Sequence, residues 1–306
     1  MATILNIEDF IEFEDDYEND HEVPNKVSLW TKSDGKYTAS KDVEICDTLP
    51  PGMYSLDYHP NIGYQCTPQK AQTDELFLFS DSVADRIIPE VQKFWDKKEL
   101  FKEHDLIHKR GILLYGSPGT GKSSYINIIA RKLVKDGGIV FIIRSKQEFV
   151  NYVDFVRNVF RKIQPDTNVI SILEDIDHYE GVHPIILDFL DGHAQLAHHV
   201  VIATSNNTEE LPDTFFRPSR LDLKIEVPLP SLTTRYEYFK NKKVDENLLT
   251  ELAEKTHGCS IADLKEVYVC VFLLDYTIEN AIEQVLGEYI KRDYTDSKTM
   301  DAKISL

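Results

Sequence analysis

One short glycine-rich segment constrains the fold of this chain more than any other feature. Residues 116–123 read Gly-Ser-Pro-Gly-Thr-Gly-Lys-Ser, which fits the pattern G-x-x-x-x-G-K-[ST] between an apolar run and a helical pattern. The glycines let backbone N–H groups turn toward phosphate oxygens, and the N-terminal end of the following helix adds positive potential. Lys122 can reach the β- and γ-phosphates of a nucleotide, and the Ser123 hydroxyl can ligate Mg²⁺. The predicted binding residues are Gly116, Ser117, Pro118, Gly119, Thr120, Gly121, Lys122, Ser123 and Ser124.

The chain around this segment alternates between strand and helix patterns. Apolar runs of strand length cover 112–115, 139–143, 169–173, 200–203 and 223–227, and helical patterns cover 122–135, 149–163 and 184–190. Apolar strands joined by helices indicate a parallel sheet covered on both faces. The alternative interpretation of the segment, an ordinary glycine-rich turn, does not explain its place between a strand and a helix. We therefore predict the α/β fold of a P-loop NTPase.

Composition divides the chain into four predicted parts. Residues 1–23 form an acidic arm with nine carboxylates and no lysine or arginine, which is either a solvated arm or a docking tail for a basic partner. Short β-like pieces broken by turns predict a small β-rich module over 24–75. The α/β nucleotide-binding core is expected over 76–230. Residues 231–306 show helical patterns without a convincing strand and predict a small all-α domain with a C-terminal tail.

The net charge and the cysteine content restrict the binding partners and the cellular location that we expect for this chain. The chain has 34 basic and 52 acidic residues, a net charge of −18, which argues against nucleic acid and anionic membranes as general partners. Its four cysteines show no metal-ligand spacing, and a chain of this size does not need disulfide bonds to be stable. A reducing, cytoplasmic setting is therefore expected. No apolar run approaches the roughly 20 residues that a membrane span requires, so no span is expected.

Two carboxylates follow the apolar run 170–173. They are Glu174 and Asp175, about 50 residues after the phosphate-binding segment. Ligands of open α/β sheets bind at the carboxyl ends of the strands. One carboxylate at this place would hold Mg²⁺ through water, and the next would orient or deprotonate an attacking water.

Together these motifs resemble the AAA family of ATPases. The acidic pair is usually Asp-Glu in that family, whereas Glu174-Asp175 has the reversed order. The reversed pair and the segment 109–116 resemble the branch that contains the mitochondrial AAA chaperone translocating the Rieske iron–sulfur protein, with its compact bacterial and phage relatives. By position, the resemblance implies that Glu174 serves the metal and Asp175 the water.

The resemblance continues after the acidic pair and implies a multi-subunit site. Segment 200–206 is similar to the family's fourth core strand, which makes Asn206 the polar sensor that helps to hold the attacking water; a buried structural asparagine is the alternative. Segment 211–222 is similar to the family's second-region signature, in which two arginines, here Arg217 and Arg220, reach the nucleotide of the neighbouring subunit. Pairing of these arginines with Asp213 or Asp222 is the alternative. The family assignment implies a homo-oligomer, a hexameric or heptameric ring.

The expected function follows from this resemblance. Segment 257–264 resembles a conserved lid segment of the family, and no arginine lies between Arg235 and Arg292, so the sensor arginine of helicase-loader and clamp-loader relatives is absent. We expect an ATPase that requires ATP and Mg²⁺, has a small all-α lid, and remodels or moves partner proteins as chaperones do. The alternatives are a nucleic-acid motor or loader and a slow, nucleotide-gated scaffold.

Two further patterns leave alternatives open. Five histidines lie in the segment 178–199 and are either zinc ligands or surface and ring-facing polar residues; they are His178, His183, His193, His198 and His199. Residues 149–154 lie where family members place an aromatic pore loop, but Asp154 stands where glycine is usual. This segment is either a pore loop or the core-facing start of a helix.

Overall fold

The computed structural model describes residues 27–33, 36–43, 46–70, 79, 83–191 and 197–287. The predicted acidic arm and the residues after 287 lie outside these ranges. The strands are β1 Val27–Ser33, β2 Lys36–Val43, β3 Gly52–His59, β4 Gly63–Pro68, β5 Lys109–Tyr115, β6 Ile139–Ile143, β7 Val169–Leu173, β8 His199–Ser205 and β9 Leu223–Glu226. Strands β1 and β2 form an antiparallel pair of their own, and the other seven form one sheet in the order β4-β3-β6-β7-β8-β5-β9.

Helices cover this sheet and continue beyond it. They are α1 Ala84–Asp96, α2 Lys98–Glu103, α3 Lys122–Lys135, α4 Lys146–Phe155, α5 Arg161–Ile163, α6 His183–Asp191, α7 Leu232–Asn241, α8 Glu246–Lys255, α9 Ile261–Phe272 and α10, described over 278–287. A single π-helical turn, Val156–Phe160, joins α4 to α5. No helix in the described ranges is long and apolar enough to span a lipid bilayer.

Alternating residues of the strands are buried in two separate hydrophobic cores, one on each face of the sheet. On β5, Leu113 packs with α4 and α6, while its neighbours Ile112 and Leu114 pack with α1 and α3. This alternation is what a strand with both faces buried requires, because successive side chains point to opposite faces. Apart from β4, the paired strands of this sheet run parallel. The α/β fold predicted from the sequence is therefore confirmed.

The predicted boundary at residue 75 does not separate a β-rich module from the core. Strand β3 pairs in parallel with β6 through Gly52–Tyr54 and Ile139–Phe141, and β4 pairs with β3. Met53 and Leu56 are buried in the two cores of the sheet. The expected division was wrong for residues 52–68, because the hairpin covers the otherwise open edge of β6 and satisfies its backbone groups.

The helical region after β9 has its own core, and we call α7–α10 the lid. Its buried residues come from all four helices and include Tyr238, Leu252, Leu264 and Ala281. Each of its first three helices begins with a side chain that caps the free N–H groups: Ser231, Asp245 and Ser260. Phe79, from before α1, packs into the same core.

Gly111→Ala should destabilise the protein by about 2–3 kcal/mol, the scale of an overpacked core. A Cβ atom at this position of β5 would lie 1.8 Å from the backbone oxygen of Arg220, so one of the two segments must move. Chemical denaturation measures the change. Gly287→Ala is the matched control, because a Cβ there has nothing within 4 Å. Equal stability of both variants would contradict the close approach of β5 to the Arg220 segment.

Candidate nucleotide site

The phosphate-binding segment forms a tight loop between β5 and α3. Gly116 has φ 148° and Gly119 has φ 75°, both in the region that favours glycine. A Cβ at Gly116 would lie 2.3 Å from the Val227 backbone oxygen, and one at Gly119 would lie 2.6 Å from Ser260 Oγ. The N–H of Gly116 donates to the backbone oxygen of Ser205 at 3.3 Å, which ties the loop to β8. The glycines are therefore required by the conformation and by close neighbours.

The loop presents a set of unused donors. Within the described residues, the backbone N–H groups of residues 119–123 form no hydrogen bond with another backbone group. These groups precede the first hydrogen-bonded turn of α3, where the helix dipole adds partial positive charge. Several N–H donors around a concave loop at a helix N-terminus match the oxygens of a phosphate group. The residues present therefore fit the phosphates of a nucleotide.

Lys122 links this loop to the end of β8. Its side chain is buried, and Nζ donates to the backbone oxygens of Gly116 and Ser117 at 2.7 and 3.0 Å and to Asn206 Oδ1 at 2.7 Å. Desolvation lowers the pKa of Lys122, and the nearby charges of Asp175 and Asp177 act in the opposite direction. The ammonium group thus lies where an anionic ligand would replace weaker neutral acceptors.

Asn206 joins Lys122 to the acidic strand end. Its Nδ2 donates to Asp175 Oδ1 at 3.2 Å, while the Asp175 N–H donates to Thr204 Oγ1 at 2.8 Å. Asp175 itself has φ 50°, which turns the chain sharply after β7. The neighbouring Asn207 is exposed and accepts from the N–H of Glu209 at 3.0 Å, as a cap. Of the two asparagines, Asn206 therefore faces the phosphate loop.

Glu174 forms an ion pair with Arg144, a residue that the sequence analysis did not identify as part of the site. Arg144, directly after β6, places Nε 3.2 Å from Glu174 Oε2. Desolvation raises the pKa of Glu174, and the Arg144 charge opposes that shift. In the sequence, the only sign of this ion pair is a basic residue at the end of a predicted strand. Its pairing with Glu174 could not be predicted, because it depends on β6 and β7 being neighbours in the sheet.

A cleft of about 490 Å³ brings most of the predicted residues together. Lys122, Glu174, Asp175 and Asn206 line it. Six more predicted residues line the cleft: Pro118, Gly119, Thr120, Gly121, Ser123 and Ser124. The sequence did not predict six others that line it, namely Phe79, Tyr125, Tyr238, Ile261, Ala262 and Lys265. The Ser123 hydroxyl and the two carboxylates are oxygen donors, the type that Mg²⁺ prefers, so the donor set fits this metal.

The two predicted finger arginines lie outside this cleft and differ from each other. Arg220 is fixed within its own chain: Nε and Nη2 donate to the two carboxylate oxygens of Asp191 at 2.6 and 2.7 Å. Its pKa is raised by this hydrogen bonding. Arg217 is exposed, and its guanidinium group forms no ion pair with any residue in the described ranges. The partner of Arg220 is thus neither Asp213 nor Asp222, the two considered from the sequence.

The structure also describes most residues of the two patterns for which the sequence left alternatives open, residues 149–154 and the histidines of segment 178–199. Phe149, Tyr152 and Val153 are buried in the core on α4, so the core-facing alternative is correct for these three residues. His199 is also buried, with Nε2 next to Ser171 Oγ. Within the described ranges, no three His, Cys, Asp or Glu residues are placed to hold a metal ion. His193 lies outside those ranges.

These features define an α/β domain with a glycine-rich loop between β5 and α3 and a cleft lined by residues of the sheet domain and of the helical lid. Residues 112–229 match the family described as "ATPase family associated with various cellular activities (AAA)". This part of the chain is therefore similar to an AAA ATPase domain. The resemblance inferred from the sequence motifs is confirmed at the level of the family domain, and the Rieske-chaperone branch stays a proposal.

Several curated proteins are similar to this chain. A proteasome-activating nucleotidase of Saccharolobus islandicus (strain M.14.25 / Kamchatka #1) is 32% identical over 198 residues, 56% of this chain and 49% of the relative. The Cell division cycle protein 48 homolog of Archaeoglobus fulgidus is 31% identical over 192 residues, 55% and 26% of the two chains. The ATP-dependent zinc metalloprotease FtsH 1 of Alkaliphilus metalliredigens is 26% identical over 252 residues, 71% and 42%. The chain thus spans half the length of these relatives or less.

Proposed function

We propose that this protein is an Mg²⁺-dependent ATPase that works as a homo-oligomeric ring and remodels or moves partner proteins. One observation carries the proposal: Lys122, Glu174, Asp175 and Asn206 converge on a single cleft beside unused backbone donors. A glycine-rich loop that served only as a turn would not need a buried lysine close to the charges of Asp175 and Asp177. The family domain over residues 112–229 supports ATP as the nucleotide.

Each polar group of the cleft has a proposed task. The loop N–H groups and Lys122 bind the phosphates, and Ser123 and Glu174 hold Mg²⁺, which neutralises charge on the phosphate oxygens when bound. Asp175 Oδ1 is the acceptor for the proton of the attacking water, and the Asn206 amide orients that water beside it. The Lys122–Asn206–Asp175 chain of hydrogen bonds keeps these groups at fixed distances before the nucleotide arrives.

A ring is proposed because no arginine is among the described residues that line the cleft, and Arg144, which lies next to it, is paired with Glu174. Arg217 and Arg220 do not line it, yet a guanidinium group stabilises the charge that develops on a transferred phosphoryl group. Arg217 is exposed, as a residue that acts on an adjacent copy must be, whereas Arg220 is held by Asp191. We therefore propose a hexameric or heptameric ring with Arg217 as the residue that acts across the interface and Arg220 as its support.

The proposed substrate is another protein, and the proposed branch is that of the Rieske-protein chaperone. The reversed order Glu174-Asp175 supports this branch. Burial of Phe149 and Tyr152 removes the aromatic side chains that would grip an unfolded chain, which favours movement of folded cargo over threading. All four cysteines are free thiols, which supports the cytoplasm as the location.

Asp175→Asn should lower ATP turnover by about 100-fold or more, the contribution of a general base, while ATP stays bound. The amide keeps the size and the contact with Asn206 but accepts no proton. Phosphate release and equilibrium binding of ATP measure the two effects, and a pull-down with the variant should retain the oligomer together with its partner. Asp136→Asn, an exposed residue after α3, is the control. Stable ATP occupancy with negligible phosphate release in the unmodified protein would instead select the nucleotide-gated scaffold.

A further inference from the structure

We propose that Thr204 is a further positioning residue of the site: its side-chain hydroxyl fixes the backbone of Asp175 and thereby holds the Asp175 carboxylate at the attacking water. This inference rests on the proposed function, because it requires that Asp175 accept a proton while the water oxygen bonds to the γ-phosphorus and ADP leaves. Three observations support it: the hydrogen bond between the two residues, the backbone conformation of Asp175, and the place of Thr204 in the sheet.

Thr204 forms a direct hydrogen bond with the backbone of the proposed general base. The N–H of Asp175 donates to Thr204 Oγ1 at 2.8 Å, a distance typical of a well-formed N–H···O bond. Thr204 is buried and lines the cleft beside Asp175 and Asn206. The Asp175 N–H forms no other hydrogen bond with a described residue, so without this hydroxyl it would be left unsatisfied. The hydroxyl therefore holds the start of the turn that follows β7.

Asp175 needs this support because its backbone conformation is unfavourable. Its φ of 50° and ψ of 58° lie in the left-handed region, which few residues other than glycine adopt. Conformations of this kind persist only where the surrounding structure fixes them, and they cluster at functional sites. A rotation of this backbone would turn the Asp175 carboxylate away from Asn206 Nδ2, which donates to Oδ1 at 3.2 Å. The direction of the carboxylate thus depends on the group that holds the Asp175 N–H.

Thr204 is suited to this task because it lies on a central strand of the sheet. Strand β8 pairs with β7 on one side and with β5 on the other, where Thr204 stands opposite Leu114. The branched side chain of threonine is restricted at χ1, so its hydroxyl keeps one direction. Groups on strands hold a site more precisely than groups on loops. Thr204 therefore ties the turn after β7 to the centre of the sheet.

The other residues around Asp175 are held independently of the Thr204 hydroxyl. The Asn206 N–H donates to Asp177 Oδ2 at 3.3 Å, and Asn206 Oδ1 accepts from Lys122 Nζ at 2.7 Å. Removal of the hydroxyl leaves these hydrogen bonds in place. We therefore expect it to displace Asp175 alone, so that the nucleotide still binds while proton transfer from the water becomes slower.

Thr204→Val replaces the hydroxyl by a methyl group and should lower kcat by about 10- to 100-fold, since misplacing a reacting group by about 1 Å costs on the order of 100-fold. The affinity for Mg·ATPγS, measured by calorimetry on the full chain, should not change. Thr204→Ser keeps the hydroxyl and should recover most of the turnover. Thr250→Val makes the same exchange at an exposed position of α8 outside the cleft and is the control. Circular dichroism and denaturation establish that each variant is folded, and Thr204→Ala, which also lacks the hydroxyl, takes the place of Thr204→Val if the latter unfolds.

A double variant tests whether the effect of Thr204 passes through Asp175. In Asp175→Asn chains the carboxylate that Thr204 positions is already absent, so adding Thr204→Val should cause little further loss of phosphate release in a single turnover. A further loss as large as in the unmodified background would overturn the positioning role, because the two effects would then be independent. Unchanged kcat in Thr204→Val, an equal loss in Thr204→Ser, or weaker binding of Mg·ATPγS by Thr204→Val would also overturn it. Failure of the unmodified protein to bind or hydrolyse ATP would instead overturn the proposed function itself.

Discussion

Lys122→Ala is expected to weaken the binding of Mg·ATP severely and, with it, to abolish measurable ATP hydrolysis. The ammonium is buried between the loop carbonyls and Asn206, so no other side chain can take its place without a rearrangement. Truncating one partner of a buried, hydrogen-bonded charge pair costs about 2–5 kcal/mol, which weakens binding by roughly 30-fold to several thousand-fold. Calorimetry with Mg·ATPγS and phosphate release under saturating ATP measure the two losses.

The control for this prediction comes from the same helix. Lys135, at the exposed end of α3, lies outside the cleft, and its replacement by Ala removes the same charge without touching the loop. Circular dichroism and denaturation of both variants establish that the fold is retained. Unchanged affinity in Lys122→Ala would refute the assignment of residues 116–124 as a phosphate site, and the roles given to Asp175 and Asn206 would lose their basis.

The parts of the site that the sequence predicts are those encoded by neighbouring residues. The loop of residues 116–123 and the acids after β7 each occupy one short stretch in which strand, turn and helix follow in order. Asn206 could also be placed, because the carboxyl ends of parallel strands meet at one edge of the sheet. Local patterns of this kind need only the sheet to bring them together.

The parts of the fold and of the site that the sequence does not predict depend on contacts between segments that are distant along the chain. The pairing of β3 with β6, the contact of Arg144 with Glu174 and the pairing of Arg220 with Asp191 each join such segments. A hairpin with an alternating pattern fits a separate module as well as a sheet edge, and an arginine has several acids to choose from. The packing of α9 on Gly119 is decided by the lid core, so sequence spacing does not reveal it.

Arg217→Ala is expected to reduce ATP turnover by about 1000-fold while ATP binding is retained, the scale of a missing arginine finger. Arg217 is exposed and lies outside its own cleft, so its removal leaves the nucleotide contacts of the same chain intact. Arg220→Ala should behave differently: it leaves Asp191 without its bidentate partner and should lower stability as well as turnover. Phosphate release, nucleotide binding and chemical denaturation separate the two arginines.

Mixing two inactive variants tests whether Arg217 acts on a neighbouring chain. Lys122→Ala chains lack a functional phosphate loop but carry Arg217, and Arg217→Ala chains have the loop but lack the arginine. If the arginine acts across an interface, a mixture contains interfaces at which an intact loop meets an intact Arg217, and part of the ATPase activity returns. The activity per chain of the unmodified protein should also rise with concentration as the oligomer forms. A mixture as inactive as its components, or equal rates per chain in monomer and oligomer, would place the arginine's action within its own chain and remove the reason for a ring.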